Sequence, residues 1–168
     1  MSKLHQNEII HRDVHPSRIQ LFKSKDGNEH VKFNSIGMPF NFKKLLKRDN
    51  FSGHVNYSAP ELILEKQFFT KKVDVWSFGC CIFYLVTKKD PFEGKQTQET
   101  KHNIINSQFD RYTSIQKFVD EKIPNPVLRS VLFNTLQFNE ASRPSFAQIV
   151  DIIEVHLQLQ SKLKFVEE

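Results

Sequence analysis

Cysteine is nearly absent from this chain of 168 residues: there are two, Cys80 and Cys81, and they are neighbours. Adjacent residues of a helix point in different directions, so no structural disulfide is expected between them. No other cysteine is present to complete a metal site, and no metal ligand set is expected. The pair reads as small core residues in a reducing compartment. Long apolar runs are also missing. The longest, residues 73–86, is interrupted by Asp74 and Ser77 and is too short to span a bilayer. Residues 1–7 are polar, which speaks against a signal peptide. Repeats, low-complexity tracts and a second domain are not found. These absences lead to an expectation of a cytoplasmic or nuclear protein with no membrane contact.

What is present describes a soluble globular domain. Hydrophobic residues at 39% balance charged residues at 26%, a composition that builds a core rather than a disordered chain. The 16 phenylalanines make aromatic packing the expected content of that core. The formal charge of +5 is spread along the sequence, apart from one cluster at Lys43, Lys44, Lys47 and Arg48. That cluster reads as a solvated face, and nothing concentrates charge as a nucleic-acid partner requires.

Residues 19–22 and 30–33 are strand-sized, and Lys25-Asp26-Gly27-Asn28 between them signals a hairpin. Residues 37–56 lose periodicity and read as a long loop, a length usually reserved for function. Residues 73–87 are apolar on nearly every side, as a central buried helix would be. Val127, Leu128, Val131, Leu132 and Leu136 recur at helical spacing after Pro124 and Pro126. A last amphipathic helix carries Phe146, Ile149, Val150, Ile153 and Leu157. The expected class is α+β, mainly α-helical: a helical bundle with a small β-hairpin, spanning residues 1–160 with a tail at 161–168.

The order of landmarks along the chain narrows this further. Ile9-Ile10-His11-Arg12-Asp13-Val14-His15-Pro16-Ser17-Arg18-Ile19 resembles the protein kinase catalytic loop, H-R-D-L-K-P-E-N-I. Val31-Lys32-Phe33-Asn34-Ser35-Ile36-Gly37 stands where that family has V-K-L-x-D-F-G. Gly53-His54-Val55-Asn56-Tyr57-Ser58-Ala59-Pro60-Glu61 resembles the end of the activation segment, G-T-x-x-Y-x-A-P-E. Asp74-Val75-Trp76-Ser77-Phe78-Gly79 is similar to D-V-W-S-x-G of the central helix. Asp90-Pro91-Phe92 and Ser142-Arg143-Pro144-Ser145 match the two later landmarks. The resemblance is to the C-terminal lobe of a protein kinase, without the N-terminal lobe.

It implies roles for the matching positions. Asp74 should accept hydrogen bonds from the catalytic-loop backbone, because a carboxylate opening an apolar helix needs partners. Glu61 and Arg143 should form a buried bidentate ion pair, and His11 should pack in the core. Arg12, Gly37, Tyr57, Pro60 and Trp76 complete the structural motif. Asp13 occupies the position of the base that accepts the substrate hydroxyl proton.

The same comparison finds both Mg²⁺-ligand positions substituted. Arg18 stands for the Asn and Ser35 for the Asp of D-F-G. A guanidinium 4 Å from a divalent ion is repelled by roughly 8 kcal/mol at an effective dielectric near 20. No cofactor is therefore expected; ATP and Mg²⁺ would bind only with compensation elsewhere, or ATP through Arg18 on phosphate without metal. His15 replaces the Lys after H-R-D-L, and His54 replaces the Thr of the G-T pair. Ser52 is a candidate phosphosite, since the resemblance pairs Arg12 with a phosphorylated residue of this segment. The Gly-rich loop, β3 Lys and αC Glu have no counterpart in the sequence, which suggests a truncated product, a partial gene model, or a protein partner (or the missing lobe itself) covering the open face.

Three readings remain at this level. The first is a pseudokinase fragment serving as a protein-binding or regulatory module. The second is part of an active kinase that transfers the ATP γ-phosphate to a protein hydroxyl, with Asp13 as base. The third is a degenerate relative of the kinase–ribonuclease stress sensors, on the loose likeness of residues 83–92 and Asn103-Ile104-Ile105.

Overall fold

The helix expected over residues 73–87 is the axis of the fold. In a computed structural model, which describes residues 1–33, 40–41, 54–66, 68–110 and 115–164, this helix runs over Lys72–Thr87 (α3). Val73, Val75, Trp76, Cys80, Cys81 and Phe83 along it are all buried. Such all-round burial requires neighbours on several sides, and the later helices supply them. The helix stops where Lys88 takes a left-handed conformation (φ 59°) and its N–H returns to the Tyr84 carbonyl at 2.7 Å.

The chain enters through α1 (Ser2–Gln6) and a short strand, β1 (Ile9–Ile10). A 3₁₀ turn at Pro16–Arg18 leads into the hairpin of β2 (Ile19–Lys23) and β3 (Glu29–Phe33). Its antiparallel register pairs Leu21 with Val31 and Ile19 with Phe33. The turn closes with Gly27 at φ +87°, the conformation that made Asp26-Gly27 a hairpin signal. Strand β4 (Phe40–Asn41) pairs antiparallel with β1, Ile10 opposite Phe40. This corrects the reading of residues 37–56 as loop throughout: two residues of strand are too few to show a period. A 3₁₀ turn at Val55–Tyr57 also falls within that stretch. Ser35, Gly37 and Ser52, with Lys43, Lys44, Lys47 and Arg48, lie outside the described residues.

After α2 (Pro60–Ile63) and α3, the helices are α4 (Thr97–Asp110), α5 (Ile115–Lys122), α6 (Pro126–Thr135) and α7 (Phe146–Lys164). Helix α6 begins as expected, with Pro126 in its first turn and the Asn125 side chain accepting from the Val127 and Leu128 N–H groups. It ends at Thr135, so Leu136 caps the helix rather than continuing it. Gly79 lets α3 and α6 approach closely: a Cβ there would lie 2.9 Å from Leu136 Cδ2 and overlap the Thr135 side chain.

Two core clusters result. Trp76, Cys80, Phe83, Phe92, Ile104, Val119, Ile123 and Leu132 belong to the larger one. Val75, Val131, Phe146 and Ile149 form the second, with Ile153 packed at its edge. Val150 and Leu157, expected on the inner face of α7, are exposed instead. The inward stripe is narrower than the apolar sequence pattern and reaches only as far as Ile153. Both cysteines are free and buried, as expected. No helix of the described residues is long and apolar enough to cross a membrane.

Candidate functional site

The loop carrying Asp13 is fixed from below by Asp74, whose side chain is fully buried. Asp74 Oδ2 accepts from the His11 N–H at 2.8 Å and lies 2.8 Å from His5 Nε2, while Oδ1 accepts from the Arg12 N–H at 2.8 Å. A buried carboxylate with three donors is satisfied, which explains its place in an apolar helix. The clamp also holds Arg12 in the left-handed region, at φ 62°, a conformation that costs a non-glycine residue roughly 1–2 kcal/mol. His11, fully buried against Phe33 as expected, accepts the Asp13 N–H on Nδ1 at 3.3 Å.

Asp13 then meets three side chains. Arg18 donates to Asp13 Oδ2 from Nε at 3.2 Å and from Nη2 at 2.7 Å. His15 Nε2 lies 3.6 Å from the same oxygen, and His54 Nδ1 lies 3.5 Å from Oδ1. The two imidazole rings lie against each other, centroids 3.9 Å apart. His15 is buried and its Nδ1 sits 2.8 Å from Ser17 Oγ, whereas His54 is exposed.

These contacts set the local charge. Burial alone would push the Asp13 carboxyl up, but the Arg18 guanidinium and the two imidazoles overturn this and hold it below the usual carboxylate range. Burial, with His54 beside it, pushes the His15 imidazole below its ordinary value against the pull of Asp13.

The remaining motif residues tie the segment around α2 to the helices. Arg143 and Glu61, 82 positions apart, form the expected buried pair: Nη1 to Oε1 at 2.7 Å and Nη2 to Oε2 at 2.9 Å. Arg143 also donates to the carbonyls of Gln137, Lys72 and Phe138, so all five of its N–H groups are used. Its guanidinium carbon lies 5.0 Å from the Trp76 ring centroid, and Trp76 stacks on Phe92. Pro60 opens α2 and is buried beside Glu61. Tyr57 donates its hydroxyl to Asp90 Oδ1 at 2.6 Å, and Asn56 donates to Asp90 Oδ2 at 2.6 Å. Burial and the Asp90 carboxylate push the Tyr57 phenol well up.

The sequence expectations thus meet in one place for Asp13, His15, Arg18 and His54, with Asp74, Glu61, Arg143, Trp76 and Tyr57 in supporting positions. What sequence reasoning missed is the partner of Arg18. Its replacement of Asn signalled a lost ligand, but not that the guanidinium would turn onto Asp13. The two are five positions apart across a 3₁₀ turn, and that spacing was the available signal. Asp90, noted only as a landmark, is a second miss: it anchors Tyr57 and Asn56 together.

Comparisons with known proteins identify the family. A family model described as the protein kinase domain matches residues 1–152. Calcium-dependent protein kinase 6 of Plasmodium berghei is 34% identical over 151 residues, covering 88% of this chain and 9% of that protein. Sperm motility kinase 2B of Mus musculus is 29% identical over 150 residues, covering 89% of this chain and 28% of that protein. Serine/threonine-protein kinase SCH9 of Candida albicans is 36% identical over 108 residues, 62% of this chain and 13% of that protein. The chain spans less than a third of the length of these relatives. With the family model matched along most of its length, this chain belongs to the protein kinase family.

Proposed function

We propose that this chain is a catalytically impaired, pseudokinase-like member of the family that serves as a protein-binding or regulatory module in the cytoplasm or nucleus. The observation that carries the reading is the pairing of Arg18 with Asp13. A general base needs a free lone pair near the reacting hydroxyl. Here one carboxylate oxygen, Oδ2, is bonded twice by a guanidinium, the other faces His54, and the group is held below its ordinary basicity.

The donor set does not fit Mg²⁺. This ion is held by carboxylates, phosphates and water. Among the described residues, the group of side chains close enough to share an ion is one carboxylate and two imidazoles, a donor set that suits softer ions than Mg²⁺. Ser35, the other substituted position, is a weak neutral ligand for the same ion. Support for protein binding comes from the hairpin, where Leu21 and Val31, paired across the strands, are 64% and 66% exposed.

A phosphotransfer assay with γ-labelled ATP, Mg²⁺ and mixed protein substrates tests this reading, on this chain and on any longer chain that contains it. No transfer above background is expected. Transfer that disappears in the Asp13→Asn variant would overturn the reading.

A further inference from the structure

We propose that Asp13, His15 and His54 form a binding site for a zinc-class divalent ion, a clasp between the catalytic-type loop and the segment that enters α2. The three side chains offer ligand atoms that all lie within 4.8 Å of one another. Asp13 Oδ1 and His54 Nδ1 are 3.5 Å apart, and Asp13 Oδ2 and His15 Nε2 are 3.6 Å apart. Ligands on a tetrahedral ion with bonds of 2.0–2.1 Å stand about 3.3 Å from each other; the two separations run to different Asp13 oxygens, so the carboxylate turns to present one oxygen to both imidazoles.

A second observation points to a missing ligand. His15 Nε2 is buried and has no hydrogen-bond partner among the described residues, although the side chain is only 6% exposed. The Asp13 carboxylate faces it at 3.6 Å, an ion-pair distance longer than an ordinary hydrogen bond. The other ring nitrogen is engaged by Ser17 Oγ at 2.8 Å. When Nδ1–H donates to that hydroxyl, Nε2 carries a lone pair aimed at a carboxylate. Two acceptors then face each other, an arrangement that a cation between them resolves. A metal-ligating imidazole held through its second nitrogen is also the usual outer-shell design.

The chemistry selects the ion. Two imidazoles and one carboxylate suit Zn²⁺ and its neighbours in the transition series rather than Mg²⁺ or Ca²⁺. Arg18 bonds only Oδ2, which leaves Oδ1 to the ion and supplies the hydrogen bond that ligating carboxylates commonly receive. Exposed His54 gives the ion an entry path and leaves a coordination position toward solvent. Nucleotide plays no part, so the site stands or falls separately from the proposed loss of phosphotransfer.

Calorimetric titration of the chelator-stripped full chain with Zn²⁺ tests the site, paired with Co²⁺ binding followed by its visible absorption. One tight equivalent is expected, with tetrahedral-type Co²⁺ bands displaced by Zn²⁺. His15→Gln and His54→Gln should each weaken binding by about tenfold or more, while His30→Gln, at an exposed strand position, should leave it unchanged. His54→Gln alters an exposed side chain, so its fold is expected to persist, checked by circular dichroism. No tight equivalent in the wild type, or equal affinity in wild type and both variants, would overturn the proposal.

Discussion

Arg18 bonds Asp13 through two nitrogens that converge on one oxygen, Oδ2, rather than forking across both. The other oxygen stays turned toward His54. The Arg18 side chain is 32% exposed, which makes the pair a constraint on chemistry more than a source of stability. Arg18→Ala is expected to change unfolding free energy by less than about 1 kcal/mol, read from urea denaturation. A much larger loss would mean that the pair holds the fold.

The Glu61–Arg143 pair is different in kind, because both side chains are essentially buried. Removing one partner strands a charge, so Glu61→Leu or Arg143→Met should each cost roughly 3–5 kcal/mol. The double variant should lose less than the sum of the two, since it buries no lone charge. Equal, additive losses in a double-mutant cycle would contradict the geometry described.

Asp74→Asn keeps an acceptor but loses the charge and presents an NH₂ toward the His11 and Arg12 donors. Losing one hydrogen bond to a charged group costs about 1.5–3 kcal/mol, and hydrogen exchange of the His11 and Arg12 amides should rise with it. Unchanged protection of those amides would refute the clamp.

Gly79→Ala sets two effects against each other. Helix propensity favours Ala by about 1 kcal/mol. The new methyl meets Leu136 and Thr135, however, and overpacking costs about 1–3 kcal/mol. Net destabilisation is expected in thermal unfolding; a rise in Tm would show that α3 and α6 part easily.

Tyr57→Phe removes a hydrogen bond to Asp90 worth about 1.5–3 kcal/mol. The folded phenol titrates above its unfolded value, so the wild-type advantage is whole below the unfolded pKa, about 10. It should shrink as pH rises beyond that point toward the folded value. An advantage that grows with alkalinity would have the wrong sign.

Much of this was legible in the residues. Asp74 stands out as a carboxylate in an apolar helix, and the family resemblance implies catalytic-loop backbone donors for it, but nothing in the sequence points to His5. Glu61 and Arg143 were paired only through the family resemblance, since nothing local links them. Helix α4 was not read, because its inward side rests on Thr100 and Ile104 in an otherwise polar stretch. Helix α5 carried a readable signal in Ile115, Phe118 and Val119, spaced as one helical face. Strand β4 is too short to announce itself. The turn of Arg18 onto Asp13 depends on side-chain direction across a 3₁₀ turn, which residue identity does not convey.

Nucleotide binding with and without Mg²⁺ tests the central claim most directly. Calorimetry of ATP on the metal-stripped chain, and on any longer chain containing it, should show no increase in affinity when Mg²⁺ is added. A Mg²⁺-dependent gain in ATP affinity would contradict the claim that Arg18, seated on Asp13, and Ser35 leave this kinase-family chain without a working Mg²⁺–nucleotide site.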